Sequence, residues 1–389
     1  GLVGSEMCIR DRSGTDFCSL HDITSKSENE SNMGDDSGRS DESGNITHLK
    51  VDEREKYAGK NKKCGKIKRG TKMGEKTIEK NAITEGVIWK QLLIFFFPIM
   101  LGTLIQQLYT TVDTIIVGRF VGKAALASVG GPAAVLSTIV VTFFNGLANG
   151  AAVIIAQYYG AKDRKSLHVG LHTAYLFSIV ISLIVSLVGT VLTPWLLTIM
   201  NTPQDMMADS TIYLRIYFMG ILFTLVYNMG AAIMRAVGDS RRPLLYLLVC
   251  CVMNIILDIV MVVGMKMGIA GAALATVISQ CVSAILVTWS LTRAYDAMKL
   301  KFRELRMDAR VLKKELKIGV PGALQACAYG VTNVVIQASV NSFGTDTAAG
   351  WAAYGKLDLI FWTVSSALGA AVTTFAGQNY GAGKMDRVY

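Results

Sequence analysis

The chain has 389 residues, of which 51% are hydrophobic, with a mean hydropathy of +0.40 and a formal net charge of +10. A half-apolar composition with charge confined to a few segments excludes an ordinary soluble globule. The lysines and arginines fall in the N-terminal tail and in alternate loops between apolar runs, which is the positive-inside distribution and not a nucleic-acid footprint.

Residues 1–85 are polar, rich in Gly, Ser, Asp, Glu and Lys, and lack sustained periodicity, so they are expected to be a disordered tail. The opening GLVGSEMCIRDR (1–12) does not begin with methionine and resembles translated adapter read-through, so no fold argument rests on it. Between Lys50 and Lys80 the tail turns basic, as a flank facing the cytoplasm does.

The first apolar stretch, Leu92–Gly118, reaches roughly 40 Å as a helix, enough to cross a hydrocarbon core of about 30 Å with tilt or a bend. Pro98 offers the place for that bend, because it removes a backbone donor and crowds the preceding turn. The stretch is too long for a cleavable signal. Its one formal charge is Asp113. A carboxylate there costs about 2.5–3.5 kcal/mol on insertion scales, so it is expected to face a partner and not lipid.

Further apolar windows follow at 133–157, 170–199, 212–234, 243–264, 268–292, 318–343 and 349–376, making eight spans in all. Loops 160–168, 235–242 and 293–317 hold three, three and nine Lys/Arg, whereas the intervening loops hold two at most. That asymmetry places the amino terminus in the cytoplasm.

A repeat of roughly 220 residues organises the spans. Gly150-Ala-Ala-Val followed by Gln157-Tyr-Tyr-Gly-Ala-Lys returns as Gly369-Ala-Ala-Val followed by Gln378-Asn-Tyr-Gly-Ala-Gly-Lys. Tyr109 before Asp113 likewise matches Tyr329 before Asn333. The expected architecture is an all-α polytopic membrane protein. It has a six-helix N-terminal lobe (86–300) and the first two helices of a repeated C-terminal lobe (301–389), the two lobes being related by an axis along the membrane normal. A complete second lobe would need four more helices, so the sequence reads as truncated.

The fifth span carries Asn254 and Asp258 at i, i+4, one above the other on one face, and the sixth carries Thr276 within GIAGAALATVISQ. Counted from the outer helix ends, Asp113, Asn254, Asp258 and Thr276 all fall within roughly 7–15 Å of the outer boundary and can converge. Two carboxylates, an amide oxygen and a hydroxyl suit a hard monovalent cation, or two acids sharing one proton. Gly271, Ala272 and Ala273 let the sixth helix come close enough to offer a backbone carbonyl. In the last span Lys356 and Asp358 are the remaining charged pair. Asp358 is a candidate for the substrate cavity, with a structural ion pair as its alternative. No cysteine or histidine spacing suggests metal or redox chemistry, and no nucleophile or phosphate motif suggests an enzyme. A channel would show a filter or charge ring, which an off-centre acidic pair in a two-lobe repeat does not resemble.

From about residue 85 onward the sequence resembles the first two thirds of a multidrug and toxic compound extrusion (MATE) family transporter. The resemblance rests on VDTIIVGR (Val112–Arg119), Pro98, Asn254-x-x-x-Asp258, GAALAT (Gly271–Thr276) and the two QxYGA copies. It implies a monomeric antiporter in the plasma membrane exporting small organic cations or other lipophilic compounds in exchange for Na⁺ or H⁺, with no other cofactor and no nucleic-acid partner. It further implies that Asp113, Asn254, Asp258, Thr276 and the Ala272 carbonyl hold the coupling ion, and that Pro98 bends the first helix as that site fills. A lipid-linked-oligosaccharide flippase of the same superfamily is the alternative, although it would require a cluster of cationic residues inside the spans.

Overall fold

The computed structural model describes residues 83–294, 298–341, 343 and 345–389, so the tail and its basic run lie outside the described residues apart from 83–85. Among the described residues nine α-helices follow one another: α1 Ile88–Phe120, α2 Lys123–Gly130, α3 Pro132–Gly160, α4 Arg164–Ile199, α5 Gln204–Ala236, α6 Arg241–Asp258, α7 Gly268–Thr292, α8 Ala309–Asn341 and α9 Thr345–Gly381. The predicted spans map onto α1 and α3–α9, with the short α2 added between the first two. Among the described residues seven helices are long and apolar enough to cross a membrane, not eight. The exception is α8, whose first turns carry Arg310, Lys313, Lys314, Glu315 and Lys317 and whose remainder is rich in Gly, Ala, Gln, Thr and Asn.

The tight connections have local causes. Lys162, Asn201 and Lys266 each adopt a left-handed backbone (φ 56°, 51° and 54°), which ends the preceding helix and frees the chain to reverse. The Asp163 side chain then accepts from the Ser166 amide at 3.1 Å, and Asp308 accepts from the Arg310 and Val311 amides at 2.9 and 3.2 Å. These carboxylates satisfy donors that a helix start leaves open. Apolar side chains occupy the outside as well as the inside: Leu183, Leu187, Val191 and Trp195, four residues apart along α4, are all exposed. In water such a stripe would be a liability; in a bilayer it is the lipid face.

One end of the bundle carries the Lys/Arg-rich loops, and there α8 and α9 close onto α3. Any side chain at Gly146 would strike the Ala323 backbone, and one at Gly150 would strike the Gly319 backbone and lie 2.7 Å from the Glu315 carbonyl oxygen. The two copies of the repeated motif meet reciprocally. Gly160 packs on the backbone of Gln378, and Gly381 packs on the backbone of Gln157. Only glycine lets two helix backbones come this close. Gln378 then donates to the Ala236 carbonyl at 2.7 Å, and Lys384 donates to the Thr84 carbonyl at 2.8 Å. This end is shut. The linker before α8 is strapped across α4, the Lys301 amide donating to His172 Nε2 at 3.1 Å and the Asp308 amide to Thr173 Oγ1 at 3.2 Å.

Candidate functional site

The site is assembled from α1, α6 and α7 in the half of the bundle away from the basic loops. Asp258 and Asn254 are 0% and 1% exposed and Asp113 is 9% exposed, three polar side chains within an apolar interior. The carboxyl groups of Asp113 and Asp258 lie within hydrogen-bonding reach of one another. Yet Asp113 Oδ1, both Asp258 oxygens and both polar atoms of Asn254 meet no donor or acceptor that completes a bond. The contact is acceptor against acceptor, and it becomes a bond only with a proton between the oxygens, or a favourable contact only with a cation beside them.

Thr276 and Ala272 are placed on α7, where the Thr276 hydroxyl donates to the Ala272 carbonyl at 3.1 Å. Ala272 and Ala273 are fully buried in the same apolar cluster as Ile116 and Val117, so α7 reaches α1 beside Asp113. The small side chains predicted to permit that approach do so. Among the described residues the Thr276 hydroxyl bonds to neither aspartate; it is engaged within its own helix. The oxygens left over by Asp113, Asn254 and Asp258 are a hard donor set. They fit a proton or a monovalent cation, and no cluster of three or more His, Cys, Asp or Glu suited to a transition metal occurs among the described residues.

Two features escaped the sequence reading. Immediately after Asp258 the helix widens into a π-helical stretch, Ile259–Gly264, with the Met265 amide donating to the Val260 carbonyl at 2.8 Å and the Met267 amide to the Met261 carbonyl at 3.0 Å. Such widened turns collect at functional sites, and here one follows the buried acid directly. Around the acids stands a set of tyrosines. Tyr213 lies within electrostatic range of Asp113, Asp258, Tyr109 and Tyr217, and its ring stacks on Tyr217 at 6.3 Å and 13°. The spacing of Tyr213 and Tyr217, one turn apart on α5, was the available signal.

Pro98 lies within an unbroken α1 and lines a cavity of about 490 Å³ at the basic end, between α1, α3, α5, α6 and α9. Asp358 is half-buried and accepts from the Tyr354 hydroxyl at 3.3 Å; it does not line that cavity. The side chain of Lys356, its expected companion, lies outside the described residues. Arg235 is relocated by the structure. Sequence patterning placed it in a loop as a topogenic charge, but α5 continues through Ala236 and carries Arg235 into the wall of the cavity.

These features define a class: an all-helical, multi-pass membrane protein with a buried acidic pair and an internal repeat closed against itself at one end. Residues 98–260 match the MatE family model. The chain is 34% identical over 312 residues to the probable multidrug resistance protein YpnP of Bacillus subtilis, covering 78% of this chain and 68% of that one. To the probable multidrug resistance protein YoeA of the same organism it is 29% identical over 310 residues, covering 77% and 66%. The fold superimposes on a structure described as the outward-facing conformation of a multidrug resistance MATE family transporter, with a TM-score of 0.74 and 22% identity over 81% of this chain and 70% of that one. The chain belongs to the MATE family, whose members are transporters and not enzymes. It spans about two thirds of the length of the curated relatives that it matches.

Proposed function

We propose that this protein is a secondary antiporter of the plasma membrane, with its basic end in the cytoplasm, exporting lipophilic or cationic compounds in exchange for Na⁺ or H⁺. The observation that carries the reading is the buried Asp113/Asp258 pair, whose facing oxygens need a proton or cation between or beside them. Asp113, Asp258 and Asn254 would hold that ion, with Thr276 and the Ala272 carbonyl supplying further oxygens. Loading the pair changes the local charge by one, and the ion shifts the balance of two conformations only by its differential affinity for them. In the conformation described here the basic end is shut, as alternating access requires of a state open to the opposite side. A lipid-linked pyrophosphate would need a cluster of cations, and the cavity at the basic end offers a single arginine.

The test is efflux of a fluorescent cation such as ethidium from cells lacking their own pumps. Asp113→Asn is expected to reach the membrane in normal amount and to export nothing. Export at the wild-type rate by that variant would overturn the coupling role. Varying Na⁺ at fixed pH, then pH without Na⁺, identifies the ion.

A further inference from the structure

The cavity at the basic end has a charge character opposite to that of the proposed coupling site. Its only ionised lining residue among those described is Arg235; no Asp or Glu contributes to the wall. Among the described residues the guanidinium is held by no hydrogen bond or ion pair, and the titratable group near enough to influence it is the Tyr227 hydroxyl. That hydroxyl already donates to the Pro243 carbonyl at 3.1 Å. Arg235 sits in the last turn of α5, where carbonyls offer a partial counter-charge, but the Ala236 carbonyl is taken by Gln378. Arginine cannot shed its proton, so a sequestered guanidinium asks for an anion. The same cavity wall carries the amides of Asn145, Asn149 and Asn228, which make no hydrogen bond among the described residues and supply neutral donors. The volume of about 490 Å³ is that of a small-molecule pocket.

We infer that this cavity binds an organic molecule through a single oxyanion group, a carboxylate or phosphate monoester, held by Arg235 and the asparagine amides. The inference deepens the export reading by naming a charge class that the basic-end cavity admits: zwitterions and organic anions, where the acidic pair deals with the coupling cation.

Full-length protein in phosphatidylcholine nanodiscs is titrated calorimetrically with phenyl phosphate, benzoate and benzyltrimethylammonium. Phenyl phosphate and benzoate are expected to bind, and Arg235→Gln to weaken both at least about tenfold, since a charge-assisted bond is lost. Arg235→Lys should retain affinity within about threefold for the point charge, and neither variant should weaken benzyltrimethylammonium. Asn149→Leu, which removes a donor and keeps the charge, is expected to cost about fivefold and serves if Arg235→Gln does not fold. Repeating the titration with phosphatidic acid in the disc separates two sources of the group. Competition against phenyl phosphate in wild type means a lipid headgroup enters, and unchanged affinity means a dissolved ligand does. Absent oxyanion binding, or equal affinity in wild type and Arg235→Gln, overturns the inference. Ethidium export that continues in that case leaves the antiport reading intact.

Discussion

Glu315 lies in the seam between α3 and α8, one turn ahead of the apolar stretch that begins at Ile318. Its side chain is 3% exposed and its Oε1 has no partner. Burial alone pushes its carboxyl from 4.5 up to about 8, with no charged neighbour contributing. The seam therefore closes around a protonated acid. A raised carboxyl reverses the usual dependence: the closed seam holds a proton that the hydrated group would release above its ordinary value. Stability is then greatest at low pH and is lost as pH rises through about 8. Between pH 7 and 9 linkage gives a loss on the order of 1 kcal/mol, and from pH 5.5 to 9 about 3 kcal/mol. Glu315→Gln keeps the shape and removes the titration. In thermal melts of the purified protein, wild type should lose several degrees more than Glu315→Gln between pH 6 and 9, the difference cancelling every other titrating group. Parallel pH profiles for the two proteins would refute the reasoning, because they would mean that the carboxyl is hydrated in the closed seam.

Gly160→Leu and Gly381→Leu should prevent closure of the basic end to similar extents, because each glycine packs on the backbone of the other copy's glutamine. Cross-linking between α3 and α9 cysteines would read this out. Gln378→Ala removes the buried bond to the Ala236 carbonyl and should lower stability by about 1–3 kcal/mol, measurable as an earlier melt. Thr276→Val loses only a hydroxyl bonded within its own helix, so the melt should move by less than about 1 kcal/mol. If that hydroxyl also ligates the coupling ion, the ion concentration giving half-maximal export should rise in the same variant.

Hydropathy and charge are properties of single segments. They sufficed to mark where the long helices run, though not that α8 falls short of a span, and to single out Asp113 and Asp258 as acids with no place in lipid. The repeat was legible because the two motif copies are nearly identical, and Gly271–Ala273 announced a close helix approach that the buried Ala272 and Ala273 confirm. What two distant segments do to each other was not legible. That the acids face one another without a donor depends on how α1 packs on α6, more than a hundred residues apart. That Gly160 and Gly381 interlock depends on two backbones meeting, which no local pattern encodes. Arg235 and Glu315 look like ordinary loop charges in sequence. Each acquires its character because longer helices than hydropathy suggests carry it, one into a cavity whose described lining holds no acid and the other into a tightly packed seam.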